Sequence, residues 1–206
     1  SPEGCSKKNI KKYLYKVILN LADATIVNSK KFKEQLKKKY NIDSIHIYNP
    51  LNVKHINTLS NSKYKNDFFK KDYLNIISVA RLSDQKDYPT LLKALKLLKD
   101  KIKMRVIFVG NGSEIHKIKK TILCYKLQKT IKIVTNENNP FPIIKKSDLF
   151  ILSSKFEGLP NVLLEALALK KFVISSNCPT GPSEILDNGK GGFLFRVGDH
   201  KKLANQ

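Results

Sequence analysis

Apolar positions recur in two rhythms along the chain. Over residues 7–21, Ile10, Tyr13, Leu14, Val17, Ile18 and Leu21 fall at helical spacing, with Lys7, Lys8, Lys11, Lys12 and Lys16 between them. This predicts an amphipathic helix, suited to packing on a domain or to lying on a membrane surface. A short strand over 24–28, a Lys-rich helix over about 30–40 and a strand over 44–48 follow, and Asn49-Pro50 marks a turn. Residues 51–72 have little periodicity and many Asn, Ser and Lys, and read as a linker or long surface loop.

From Leu74 the rhythm changes. Continuous apolar runs at Leu74–Val79, Met104–Val109, Ile131–Val134, Leu149–Leu152 and 172–175 alternate with helical patterns at about 90–99, 114–126, 140–146 and 160–169. A last helix near 182–187 precedes a short strand at Phe193–Phe195. Uninterrupted apolar strands alternating with helices predict an α/β fold, a doubly wound parallel sheet of Rossmann-like type covered on both faces. Such sheets bind ligands outside the carboxyl ends of their strands, so polar residues just after each strand are candidates for one site.

Arg81 and Lys86 follow the first strand of this set. A planar guanidinium fork and a mobile ammonium together suit a diphosphate and its departure as a leaving group. Two solvated loop charges would look the same in sequence. After the second strand, Gly110-Asn111-Gly112-Ser113-Glu114 reads as a tight turn with Ser113 capping the next helix. It is not GxGxxG and it does not follow the first strand, so dinucleotide binding gains little.

The stretch after the fourth strand is richer. In Ser153–Ala166, Pro160 suits the start of a helix, Glu157 falls in the loop before it and Glu165 more than a turn inside. The amino end of such a helix attracts phosphate, Gly158 lets backbone approach a ligand, and a helical carboxylate can grip a ribose diol. A capped amphipathic helix with Leu163, Leu164 and Leu167 in the core and two solvated Glu is the competing reading. Cys178–Ile185, after the fifth strand, reads as a turn and helix start that could also present amides to phosphate.

Composition alters the picture in one respect. Lys+Arg is 39 against 17 Asp+Glu, a formal charge of +22. That favours anionic partners, including nucleotides and acidic membrane surfaces. Arg occurs only at 81, 105 and 196, and Asn and Ile are abundant, so AT-rich coding alone could produce the excess. Arg81 gains weight from this scarcity; Lys86 does not. Cys5, Cys124 and Cys178 show no zinc spacing and read as free thiols of a reducing compartment. His46, His55, His116 and His200 show no ligand spacing and read as solvated surface residues. No signal peptide and no apolar run near 18 residues is evident.

Taken together, the motifs resemble the retaining nucleotide-sugar glycosyltransferases of the GT-B fold, of the group 1 or family 4 type. Glu157-Gly158-Leu159-Pro160-Asn161 followed by Glu165 resembles that family's Glu–seven residues–Glu motif. Val79-Ala80-Arg81-Leu82 with Gln85-Lys86 is similar to its phosphate contacts, and Gly191-Gly192-Phe193-Leu194 to its late glycine turn. Residues 22–29 and Tyr48-Asn49-Pro50 resemble its domain-junction segments.

The resemblance implies one half of a GT-B architecture. Residues 1–50 would be the tail of an amino-terminal acceptor domain, 51–72 a linker, and 73–206 a donor-binding domain lacking its final helices. Arg81 and Lys86 would contact the donor diphosphate. Glu157 would lie at the transferred sugar as the catalytic residue, beside Gly158, Leu159, Pro160 and Asn161. Glu165 would hold the ribose, and Thr135 and Asn136 would lie against the base. No metal and no cofactor are implied beyond the nucleotide sugar as donor substrate. Thr180-Gly181-Pro182-Ser183-Glu184 is similar to members using UDP-hexoses or UDP-N-acetylhexosamines. The implied reaction is retaining transfer of a hexosyl or N-acetylhexosaminyl group to a glycan or lipid-linked acceptor. Its expected setting is the cytoplasm or the inner membrane face, with anionic membrane contact and no specific nucleic acid. Two other functions fit less well. A non-catalytic nucleotide- or polyanion-binding module would share the fold, and an oxidoreductase would want GxGxxG after Val79.

Overall fold

The computed structural model describes residues 9–64 and 68–206. Cys5, Lys7 and Lys8 lie outside them, as do the side chains of Ile10 and Tyr13. In the first helix, α1 (Asn9–Leu21), the described part of the apolar stripe is not packed on the domain: Leu14, Val17, Ile18 and Leu21 are all exposed. Among its described side chains, Leu19 alone packs against an apolar cluster.

A small unit follows. Strand β1 (Ile26–Val27) pairs in parallel with β2 (Ile45–His46), and α2 (Lys30–Tyr40) connects them. Ser29 caps α2 by accepting from the Phe32 amide, and Asn41 closes its far end in the left-handed conformation. Val27, Leu36, Tyr40 and Ile42 form its core.

The stretch read as a linker contains a helix, α3 (Val53–Ser60), capped by Asn52. Ile56 is its one buried apolar anchor, sunk into the core of the main sheet, so no periodic stripe betrays it. The Asn139 amide donates to the Leu59 carbonyl and fixes its end.

The main sheet has six strands: β3 (Leu74–Val79), β4 (Met104–Val109), β5 (Ile131–Val134), β6 (Leu149–Leu152), β7 (Phe172–Ser176) and β8 (Phe193–Phe195). All pair in parallel, in the order β5-β4-β3-β6-β7-β8. The helices are α4 (Tyr88–Leu98), α5 (Ile115–Cys124), α6 (Phe141–Lys146), α7 (Asn161–Ala168), α8 (Pro182–Ile185) and α9 (His200–Asn205). The expected doubly wound α/β sheet is therefore present.

Successive strand residues feed opposite faces. Ile76, Val106, Phe108 and Ile151 join Leu91, Leu95, Ile118 and Leu203 on one side. Ile77, Ile107, Val109, Phe150 and Leu152 join Ile56, Ile143, Ile144 and Leu163 on the other. Each such fully buried side chain contributes about 1.5–3 kcal/mol. Both strand faces are apolar for this reason, which makes the runs continuous in sequence. Leu203 of α9 packs against α4, a contact the pattern did not suggest.

Candidate functional site

The chain leaves β3 in one direction along the sheet and later restarts at β6, on the other side of β3. The loops after β3 and β6 therefore diverge around a crevice, the switch point where ligands bind in open α/β sheets. Lys86 and Glu157 meet at this point.

The loop after β3 is short and anchored at both ends, by Leu82 and Tyr88, each nearly inaccessible. Between them a 3-10 turn spans Asp84–Lys86, and Asp87 takes a left-handed conformation and caps α4 through Thr90. Lys86 is thereby aimed across the crevice, where its Nζ lies 2.5 Å from Glu157 Oε1. Their side chains are 15% and 8% exposed, so water scarcely screens the pair.

Main-chain contacts join the two loops around this pair. The Ser153 hydroxyl donates to the Lys86 carbonyl at 2.8 Å. The Gln85 amide donates to the Phe156 carbonyl at 2.8 Å, and the Lys155 amide returns a bond to the Gln85 carbonyl. Lys155 and Asp84 close the rim at 2.6 Å. Ser153, Gln85 and Thr180 fall within the motif stretches read from sequence, but no site role was given to them there.

The loop after β7 supports Glu157 from the other side. The buried Thr180 hydroxyl donates to the Glu157 carbonyl. Gly181 has φ +91°, and a Cβ there would lie 2.5 Å from both the Gly158 carbonyl oxygen and Pro160 Cδ. A glycine is thus required where this loop rests on 158–160. Cys178, beneath it, is buried, and burial followed by the nearby Glu157 charge pushes its thiol up to about 12. It is therefore an unreactive thiol at neutral pH.

Other candidates are spread along the same edge. Arg81 directly follows Ala80 at the end of β3; its side chain is exposed and bonds neither acid. Thr135 and Asn136 are exposed at the end of β5, two strands and roughly 10 Å from β3. Leu159 and Pro160 are buried, Gly158 is partly so, and the Asn161 side chain accepts through Oδ1 from Asn49 Nδ2 at 2.8 Å. Glu165 is half-buried on α7, and burial raises its carboxyl above the ordinary 4.5. The structure thus joins Lys86 to Glu157 directly. Among the described residues it does not join Arg81 or Glu165 to that pair.

Two expectations need correction. Ser113 does not cap α5: the cap position is Glu114, whose amide instead donates to the Leu82 carbonyl. Gly112 serves that contact, since a Cβ there would lie 2.3 Å from the same carbonyl oxygen. His46 is not a solvated surface residue; it is half-buried, edge-on to Tyr48 at 4.2 Å, with Nε2 buried and unpartnered. Among the described residues, no group of three or more His, Cys, Asp or Glu could hold a metal ion. Nor is any described helix long and apolar enough to cross a membrane.

The family model for glycosyl transferases group 1 matches residues 60–206. An uncharacterized glycosyltransferase of Methanocaldococcus jannaschii is 34% identical over 180 residues, 85% of this chain and 44% of its own length. A Campylobacter jejuni protein is 27% identical over 197 residues, 94% of this chain and 52% of its own. It is named N-acetylgalactosamine-N,N'-diacetylbacillosaminyl-diphospho-undecaprenol 4-alpha-N-acetylgalactosaminyltransferase. The chain spans about half the length of these relatives. The crystal structure of Anabaena HepE in complex with UDP and glucose superposes with a TM-score of 0.82 at 21% identity, covering 100% of this chain and 57% of that one. That likeness shows the fold. With the family model matching most of its length and a relative above 30% identity, the chain belongs to the glycosyl transferases of group 1.

Proposed function

We propose that this chain is the nucleotide-sugar-binding, carboxyl-terminal half of a retaining glycosyltransferase. On this reading the donor is a UDP-linked hexose or N-acetylhexosamine, and the acceptor is a glycan or lipid-linked sugar. The observation that carries the reading is the Lys86–Glu157 couple at the switch point of the sheet. Arg81 stands five residues from Lys86 on the same loop. The Campylobacter relative, named for a diphospho-undecaprenol acceptor, supports the lipid-linked alternative. HepE, crystallised with UDP, supports the donor nucleotide.

The proposed chemistry follows from the charges. Arg81, Lys86 and the amino end of α7 supply positive potential where a diphosphate would sit, so the reading invokes no metal. The bond from the anomeric carbon to the diphosphate breaks, and an acceptor hydroxyl bonds to the same face of the sugar. Its proton leaves with the diphosphate. Glu157, held by Lys86 and Thr180, would face the transferred sugar and orient it as the catalytic residue. Glu165 would accept hydrogen bonds from the ribose diol, each worth about 1.5–3 kcal/mol. Thr135 and Asn136 would border the base, and 158–161 would line the sugar. The excess of Lys favours an acceptor at an anionic membrane surface, on the cytoplasmic side.

Calorimetric titration with UDP at several salt concentrations tests the reading. The expected result is saturable binding that weakens about tenfold or more in Glu165→Ala and in Arg81→Ala. Equal binding of UDP and unrelated polyanions, fading steeply with salt and indifferent to Glu165→Ala, would instead identify a polyanion-binding module.

A further inference from the structure

The polar contacts between the small amino-terminal unit and the sheet domain converge on the loops that hold Glu157. Glu184, in α8, directs its carboxylate at the first residue of α2: the Lys30 amide donates to Oε1 and Oε2 at 3.0 and 3.1 Å. The Tyr48 hydroxyl donates to Oε1 at 2.6 Å. Beside it, Lys31 Nζ donates to the Ser183 hydroxyl at 2.5 Å.

The first amides of a helix have no partner within it, and its amino end carries partial positive charge. Ser29 satisfies the Phe32 amide of α2; Glu184 satisfies the Lys30 amide from another part of the chain, 154 residues away. A carboxylate is the side chain that best suits both the free amide and the dipole. Asn49 bonds Asn161, and Gly158 faces Asn28 closely enough that a Cβ would meet its Oδ1 at 3.6 Å. These contacts are polar and several are solvent-exposed, as at domain junctions that adjust.

We infer that Glu184 is a positioning residue: by capping α2 from the sheet domain, it sets the placement of loop 157–161 against the amino-terminal unit. The link runs through named contacts. Glu184 sits three residues after Gly181, whose backbone rests on Gly158 and Pro160, and four after Thr180, which bonds the Glu157 carbonyl. Movement of α2 is therefore passed to the backbone of Glu157 through the short segment 180–184. The Tyr48 phenol, held up to about 12 first by its bond to Glu184, stays a donor across the neutral range. The inference rests on the proposed donor role of loop 157–161 only for its consequence in catalysis; the coupling itself is measured without ligand.

Hydrogen exchange of the unliganded chain, read on peptides covering 28–34 and 156–162, tests it. In Glu184→Ala both peptides should exchange about threefold faster or more. Glu184→Gln, which keeps an accepting oxygen, should recover part of the protection in both. Tyr48→Phe removes one bond with little risk to folding and should affect the same two peptides more weakly. Unchanged exchange at 156–162, with a change at 28–34 alone or at neither, overturns the coupling. If Glu184→Ala fails to fold, Tyr48→Phe and Glu184→Gln decide by the same criterion. A subsequent UDP titration reports separately on the donor reading: coupling with no UDP binding would sink that reading and leave this one standing.

Discussion

Replacing Lys86 by Met would leave Glu157 charged, 8% exposed and without its cation. Breaking one side of a buried ion pair costs about 3–5 kcal/mol, because the remaining charge is neither hydrated nor matched. Lys86 is 15% exposed and water reaches the rim, so the low end, about 3 kcal/mol, applies. At a urea m of about 2 kcal/mol/M the unfolding midpoint should fall by about 1.5 M. Glu157→Leu alone should cost less, since the longer Lys86 side chain can turn its ammonium toward solvent. The double variant Lys86→Met/Glu157→Leu should cost less than the sum of the two, because replacing both charges by apolar groups removes the desolvation penalty along with the attraction. The expected coupling is about 2 kcal/mol, within the usual range for residues in contact. Urea unfolding of the four proteins at pH 7, followed by far-ultraviolet circular dichroism, measures it. Additivity within about 0.5 kcal/mol would mean that the two side chains do not meet, and the placement of the site at the switch point would be lost with them.

Three further outcomes are expected. Gly181→Ala should destabilise by about 2–6 kcal/mol, combining left-handed strain of about 1–3 with overpacking of about 1–3 against Gly158 and Pro160. Gly198→Ala, at φ +81° with nothing within 4 Å, should show the strain alone; equal losses in urea unfolding would remove the steric argument. Burial raises the Glu165 carboxyl in the folded state, so ionising it opposes folding. The penalty is absent below the ordinary 4.5 and develops as pH rises through the folded value. Glu165→Gln should therefore raise the urea midpoint at pH 7 and leave it unchanged near pH 3, and an identical gain at both would contradict the burial account. Arg81→Ala should lower UDP affinity while leaving the urea midpoint within about 0.5 kcal/mol of the parent, since its side chain is exposed and bonds neither acid. A large stability loss would reveal a structural role instead.

The parallel sheet was legible because burial on both faces makes each strand an unbroken apolar run. Leu74–Val79 and Met104–Val109 send alternate residues into two cores, and both cores demand apolar side chains. The helix Val53–Ser60 was not legible, because Ile56 is its one buried apolar side chain and, apart from half-buried Leu59 and buried Ser60, its other positions are exposed. The stripe of α1 was legible as a helix, yet amphipathicity alone does not say what covers a face; in the structure Leu14, Ile18 and Leu21 are uncovered. Ser113 looked like a cap because the local spelling suits one. The Glu114 amide found a tertiary acceptor at Leu82 instead, which no local pattern encodes.

The site divides along the same physical line. Lys86 and Glu157 stand after two strands of a parallel sheet, where a ligand site is expected, but a Lys in so Lys-rich a chain and a Glu before a helix read equally well as solvated charges; the family resemblance of their motifs is what singled them out. Ser153, Gln85 and Thr180 do their work through bonds to main-chain carbonyls at Lys86, Phe156 and Glu157. Any donor of suitable length could make such a bond, so residue type alone says little. Ser153 and Gln85 also reach partners 67 and 71 residues away, beyond any local spacing rule. Glu184 lies further still from its partners at Lys30 and Tyr48, and in sequence it is one more acid at a helix start. Its meaning comes from the helix whose amides it satisfies, which belongs to a different part of the fold. Charged groups at a strand end can be nominated by reading the chain when a motif accompanies them. Groups chosen for reach can be found only once the chain is folded, and here they are the ones that hold Lys86 against Glu157.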